Sequence, residues 1–77
     1  MIDKLTETFA MVLKIDPASL ADESSPENTP SWDSLKAVEL VAAIEETFHL
    51  ELTTTDILGM RSLGKARDVL RRKGANC

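Results

Sequence analysis

The chain has 77 residues, of which 43% are apolar, and its formal net charge is −4. A chain of this length buries one modest hydrophobic core, so residues 1–77 are expected to form a single small domain. The acidic majority argues against a nucleic-acid partner, because nucleic-acid phosphates would repel it. We find no apolar run that would span a membrane, no export signal and no repeat, and we therefore expect the cytoplasm as the compartment.

Charge is divided unevenly along the sequence. Residues 1–60 hold twelve acidic residues against three lysines, whereas residues 61–73 hold six basic residues against one aspartate. Basic residues near the end of a final helix favour its negative end, which explains most simply why they cluster there. The single cysteine, Cys77, excludes an internal disulfide and fits a reducing compartment.

The first predicted helix runs from about Ile2 to Lys14, because apolar residues recur there on one face. We expect it to end at Asp16-Pro17, since the residue before a proline disfavours helical dihedral angles. A long connection then spans about residues 18–32 and is rich in Ser, Pro, Asp and Glu. A connection of this length suits two helices that are joined at the same end of a bundle.

The second predicted helix begins at Ser34 and runs to about Phe48, with Asp33 as its N-cap. Its apolar residues recur at helical spacing and form a core stripe. That stripe consists of Ala37, Leu40, Val41, Ile44 and Phe48. Phe9 and Phe48 are expected to supply the largest apolar faces of the first two helices.

Two further helices follow. One of the three threonines at 53–55 caps a short third helix that reaches Leu58 and ends at Gly59. Ser62 caps a fourth helix, which stops at Gly74 and is followed by a flexible tail at about 74–77. The buried residues of this helix are expected to be Leu63, Ala66, Val69 and Leu70. The sequence therefore predicts an all-α fold, a small four-helix bundle with a long loop between helices 1 and 2 and a short third helix.

The outward face of the second helix combines apolar and acidic side chains. These residues are Leu35, Val38, Ala42, Glu39, Glu45 and Glu46. An exposed apolar strip with carboxylates at its rim is typical of a docking surface for basic partners. A solvated acidic face with a few exposed apolar residues is the alternative interpretation.

The segment Trp32-Asp33-Ser34-Leu35 places a hydroxyl group at the start of this helix. The first N–H groups of a helix lack intrahelical partners and carry the positive end of its macrodipole, so a phosphate-linked group on Ser34 would be stabilised there. On its own, however, Asp-Ser-Leu is more often an ordinary capped helix start.

In this context the chain resembles the acyl carrier protein family over nearly its whole length. The resemblance rests on Asp33-Ser34-Leu35, Val38-Glu39-Leu40 and Ile44-Glu45-Glu46-Thr47-Phe48, at the spacing that the family shows after its modified serine. It implies that 4′-phosphopantetheine from coenzyme A is attached covalently to Ser34, between Asp33 and Leu35. It also implies a recognition face formed by Leu35, Val38, Glu39, Ala42, Glu45 and Glu46.

The resemblance further implies a monomer whose partners are a phosphopantetheinyl transferase and acyl-loading, synthase or acyltransferase enzymes with basic docking patches. Housekeeping fatty-acid carriers usually have a small residue where this chain has Trp32 and an acidic one where it has Lys36. These two departures favour a specialised pathway. Fatty-acid, polyketide, peptide and other pathways all remain open as the source of the cargo.

The sequence does not predict an enzyme. A serine nucleophile needs a base within hydrogen-bond reach, and the only histidine, His49, would lie about 22 Å from Ser34 along one helix. We find no nucleophile elbow, phosphate-binding glycine loop or metal-binding Cys/His cluster. We predict a carrier that holds acyl or aminoacyl groups as thioesters. The alternative is an unmodified helical interaction module whose apolar strip binds a groove in a partner.

Overall fold

The computed structural model describes residues 3–75, and these residues form helices and loops without a strand. The elements are α1 (Lys4–Leu13), a short 3-10 helix (Pro17–Ser19), α2 (Ser34–Phe48), α3 (Thr54–Leu58) and α4 (Leu63–Arg72). The predicted all-α class, with a long loop before α2 and a short third helix, is confirmed. Within these residues no helix combines the length and hydropathy that crossing a membrane requires.

The first helix is shorter than predicted. Ile2 lies outside the described residues, and Asp3 is the N-cap, its Oδ1 accepting a hydrogen bond from the Thr6 N–H at 2.8 Å. The prediction that Pro17 ends the helix was wrong. Lys14 adopts a left-handed conformation (φ 58°, ψ 47°) and ends α1 at Leu13. Pro17 instead begins the short 3-10 helix, where its fixed φ is compatible with the first position.

The second helix has the bounds that the sequence predicts, and Asp33 is its N-cap. The predicted core stripe is only partly correct. Leu40 and Ile44 are buried, but Ala37, Val41 and Phe48 are half-buried. Phe48 lies at the end of α2, where the Lys4 ammonium is 5.6 Å from the centre of its ring. Its position near the N-terminus of α1 also shows that α1 and α2 run in opposite directions.

Trp32 takes the place in the core that the sequence assigned to Phe48. Its side chain is 4% exposed and meets the Phe9 ring edge to face, with ring centres 5.2 Å apart. The Phe9–Trp32 pair ties the end of the long loop to α1, directly before α2 begins. The full core cluster consists of Leu5, Phe9, Leu13, Trp32, Leu40, Ile44, Leu63, Ala66 and Leu70.

The third and fourth helices begin at capping residues that the sequence indicates. Thr53 caps α3 in a reciprocal capping box with Asp56, and Ser62 caps α4. The four residues of α4 predicted to be buried are buried. Gly74 has a φ of 88°, and the N–H of Ala75 bonds to the Leu70 carbonyl at 2.9 Å, which ends α4 in a Schellman motif. Of the expected tail, residues 74 and 75 are therefore held by hydrogen bonds, and residues 76 and 77 lie outside the described part.

The long loop is fastened to the start of α4. The N–H groups of Leu63 and Gly64, in the first turn of α4, donate to the carbonyls of Ser24 and Asp22 at 3.0 and 2.9 Å. A Cβ at Gly64 would lie 3.0 Å from the Asp22 Cβ, so a larger residue at this position would crowd Asp22. The loop carbonyls thus satisfy donors that a helix start leaves without intrahelical partners.

One turn further along α4, Arg67 links the loop to the beginning of α1. Its guanidinium pairs with the Asp22 carboxylate and with the Asp3 carboxylate, the latter at 2.7 Å, and also donates to the Thr6 hydroxyl at 3.3 Å. Partial burial raises the pKa of Asp3, but the hydrogen bonds from Thr6 and the charge of Arg67 outweigh it and leave the pKa below its ordinary value. The loop that leads to Ser34 is therefore anchored through Asp22 to α4, and through Arg67 to the start of α1.

Candidate functional site

Ser34 is the first residue of α2, and its side chain is exposed. Asp33 adopts an extended conformation (φ −110°, ψ −173°), and its Oδ1 accepts a hydrogen bond from the Lys36 N–H at 2.9 Å. The Asp33 carbonyl accepts from the Ala37 N–H at 2.9 Å. The N–H groups of Ser34 and Leu35 have no carbonyl within the helix to bond with, so they carry the positive end of the helix at the serine.

This geometry fits a phosphate-linked group on the Ser34 oxygen. The hydroxyl faces solvent, nothing buries it, and the helix start stabilises negative charge beside it. It does not fit a self-contained catalytic serine, because His49 caps the opposite end of α2, about 22 Å away along the helix. Among residues 3–75 no group of three or more His, Cys, Asp or Glu residues could hold a metal ion.

An apolar surface begins next to Ser34. Leu35 is 69% exposed and Val38 is 67% exposed, which agrees with the outward orientation predicted for both. A groove of about 350 Å³ follows the same side of α2 and is closed on its far side by Ile57 of α3. Its lining residues are Ala37, Val38, Val41, Ala42, Glu45 and Ile57.

The contribution of α3 to this surface was missed in the sequence. Ile57 is 39% exposed and Leu58 is 67% exposed. The available signal was that α3 has only five residues and ends in two adjacent apolar side chains, which point about 100° apart and cannot both face one core. An apolar pair of this kind on a short helix indicates a surface contact as readily as a core contact.

The position of α3 is fixed by an ion pair to the end of α4. The Lys73 ammonium lies 2.7 Å from the Asp56 carboxylate. The hydrogen bond from Lys73 lowers the pKa of Asp56 to about 2, assisted by the hydrogen bonds that the carboxylate makes within the capping box. Asp56 therefore stays ionised at all ordinary pH values, and its pair with Lys73 joins α3, and with it Ile57, to the end of α4.

The three glutamates assigned to the outward face have different surroundings. Glu46 is exposed. Glu39 lies 3.3 Å from the Lys36 ammonium, so its charge is partly compensated. The Glu45 carboxylate accepts a hydrogen bond from the Leu52 N–H at 2.9 Å and so holds the α2–α3 linker at the end of the groove. Glu45 thus has a structural contact that the sequence did not reveal.

A second, smaller cavity lies behind the groove. It has a volume of about 40 Å³ and is enclosed by core residues together with Ala37, Val41 and Ile57, which also line the groove. Trp32 and Met60 form part of its wall. Another depression, of about 440 Å³, lies in the long loop between residues 15 and 31 and contains none of the predicted site residues.

Comparison with known proteins agrees with this arrangement. Residues 3–70 match the family described as "Phosphopantetheine attachment site". The fold is similar to the solution structure of a holo acyl carrier protein from Geobacter metallireducens, with a TM-score of 0.82 and 25% sequence identity. The match covers 94% of this chain and 83% of that one. The chain therefore belongs to the acyl carrier protein family, whose members bear covalent 4′-phosphopantetheine and act as carriers rather than enzymes.

Proposed function

We propose that the Ser34 oxygen is the attachment point of 4′-phosphopantetheine and that the chain presents acyl or aminoacyl thioesters to partner enzymes. The observation that carries this proposal is an exposed hydroxyl at the first position of α2, within the matched family region. In the loading reaction the Ser34 oxygen would attack the pantetheine-side phosphorus of coenzyme A. A phosphodiester would form, the serine proton would go to a base of the transferase, and 3′,5′-adenosine diphosphate would leave.

We propose that the outward face of α2 is the partner-recognition face. Leu35, Val38 and Ala42 supply its apolar contacts, and Glu39, Glu45 and Glu46 supply its negative charge. Its exposed apolar residues and the adjoining groove support this assignment. The partners would be a phosphopantetheinyl transferase and acyl-loading, synthase or acyltransferase enzymes whose docking patches are basic, since opposite charges steer association.

Trp32 and Lys36, the two departures from the housekeeping pattern, do not bear equally on the choice of pathway. Trp32 is a core residue that packs on Phe9, so core packing explains why a large side chain stands at this position, and it no longer favours a specialised pathway. Lys36 still departs from the housekeeping pattern, and its pairing with Glu39 lowers the negative charge of the recognition face. We propose a monomeric, cytoplasmic carrier with residues 1–77 as one domain, in fatty-acid, polyketide or specialised biosynthesis.

The proposal is tested by loading the protein with coenzyme A, Mg²⁺ and a broad-specificity transferase. The wild-type chain and Ser31→Ala should each gain one phosphopantetheinyl group by intact mass, and Ser34→Ala should gain none while its circular dichroism stays unchanged. Ser31 is the matched control because it lies three residues away and has the same hydroxyl. Absence of loading in the wild-type chain would favour the unmodified interaction module instead.

A further inference from the structure

The basic residues between 61 and 73 fall into two groups. Arg67 and Lys73 are each held by carboxylates of other elements, and Arg71 also has an interaction partner. The side chains of Arg61, Lys65 and Arg72 are exposed and make no hydrogen bond or ion pair within residues 3–75. The helix macrodipole explains Arg72, which ends α4, but it disfavours Arg61, which directly precedes the N-cap. The positive charge of Arg61 is unfavourable beside the positive end of α4, and its side chain has no partner there. Such a residue indicates a role other than folding.

Arg61 lies at the same end of the bundle as Ser34. It directly follows Met60, and Met60 lines the 40 Å³ cavity together with Trp32, two residues before Ser34. A void of this volume holds only about three waters, so the side chains that enclose it are close neighbours. The α3–α4 connection therefore lies beside the segment that enters α2.

A phosphodiester on Ser34 would place a negative charge at this end of the bundle, and a nearby cation would add to the stabilisation that the start of α2 provides. Asp33 is adjacent in sequence, and its carboxylate already lies at the helix start. Lys36 is the nearest basic residue in the sequence, but it points about 200° around α2 from Ser34 and pairs with Glu39. Lys36 is therefore not positioned to compensate a charge on the Ser34 oxygen, whereas Arg61 is free to do so.

We propose, building on the proposed attachment at Ser34, that Arg61 is a phosphate-binding residue for the prosthetic group. Its guanidinium pairs with the phosphodiester that links the arm to Ser34. Arginine suits this role because its fork of N–H donors matches two phosphate oxygens at once. The contact holds the phosphate end of the phosphopantetheine near the α3–α4 connection, on the side of α2 where Ile57 closes the groove.

The experiment compares apo and holo forms of the wild-type chain, Arg61→Gln and Arg72→Gln. Arg72→Gln is the matched control, because it removes the same charge from an exposed, unpartnered arginine at the far end of α4, about 15 Å away. Intact mass first establishes that each variant carries one phosphopantetheinyl group. The ³¹P resonance of the phosphodiester and the side-chain Nε–Hε signal of Arg61 are then recorded at low and high salt.

We expect the Arg61 Nε–Hε signal to move on loading and to return toward its apo position at high salt. The ³¹P resonance should shift in Arg61→Gln and stay at the wild-type position in Arg72→Gln. Loaded protein with an unmoved Arg61 signal and identical ³¹P resonances in all three chains would overturn the inference while leaving the attachment at Ser34 intact. Failure of the wild-type chain to load would instead refute the proposed function, and with it this contact.

Discussion

Replacing Phe9 tests which aromatic residue holds the bundle together. Phe9 is 1% exposed and meets Trp32 edge to face, whereas Phe48, the other phenylalanine, is half-buried at the end of α2. Phe9→Ala should cost about 3–5 kcal/mol, because it removes buried ring surface and leaves a cavity beside Trp32. That cost is comparable with the whole stability of a domain of this size, roughly 3–5 kcal/mol, so the variant should be largely unfolded at 25 °C.

The matched comparison uses two other apolar residues. Phe48→Ala should be less damaging than Phe9→Ala, since Phe48 is only partly buried and packs against the edge of the core. Met11→Ala should change the free energy of unfolding by no more than about 0.5 kcal/mol, because Met11 lies on the same helix as Phe9 but is 70% exposed.

The assay is urea unfolding followed by far-ultraviolet circular dichroism and tryptophan fluorescence. Trp32 is the only tryptophan, and the chain has no tyrosine, so its emission reports directly on the Phe9–Trp32 contact. A Phe48→Ala variant less stable than Phe9→Ala would refute the reasoning. It would show that the core lies along the predicted α2 stripe instead of between α1 and the loop end.

Three further predictions follow from the loop, the third helix and the recognition face. Gly64→Ala should lower the urea midpoint, because the new Cβ would press on Asp22. Alanine ordinarily favours a helix over glycine by about 1 kcal/mol, so a raised midpoint would contradict this prediction. The pKa of Asp56 is lowered from 3.8 to about 2, so its ionised form stabilises the folded state above pH 4 and this contribution disappears as the pH falls toward 2. The urea midpoint of Asp56→Asn should therefore depend less on pH than that of the wild type between pH 4 and 2. Val38→Asp should slow transferase loading at every salt concentration, because a carboxylate would be buried at the contact. Glu46→Lys should slow loading mainly at low salt, because salt screens the charge of an exposed residue. Equal loading rates in both variants and the wild type would show that this face is not a docking surface.

Local signals in the sequence account for the helices. Asp33 and Ser62 were identified as caps, and Thr53 as one of three candidate threonines, because a short polar side chain before an apolar periodic segment bonds to its own helix start. The end of α1 lies within one residue of its predicted position, but its cause was missed, because a left-handed lysine leaves no compositional mark comparable with a glycine. The end of α2 was likewise predicted from its apolar pattern, without any signal for the left-handed His49 that caps it.

Contacts between elements that are distant in the sequence account for what was missed. In the sequence Trp32 belongs to the long loop, and only the folded structure brings Phe9 against it. The sequence analysis assigned no role to Ile57, which lines the groove only because α3 lies beside α2. The bond between Glu45 and the Leu52 N–H likewise needs the α2–α3 linker to turn back on the helix. The position of Ser34 was predictable because one cap and one helical pattern define it, whereas the far wall of the groove beside it required the tertiary structure.

The most direct test of the central claim is to locate the modification within the protein after loading with coenzyme A and a transferase. Tandem mass spectrometry of the proteolytic peptide that contains Ser31 and Ser34 distinguishes the two hydroxyls, because fragment ions between them carry or lack the added group. We expect one phosphopantetheinyl group per chain, placed entirely on Ser34. A group on Ser31 or on any other residue, or an unmodified chain under conditions that load a known carrier, would contradict it.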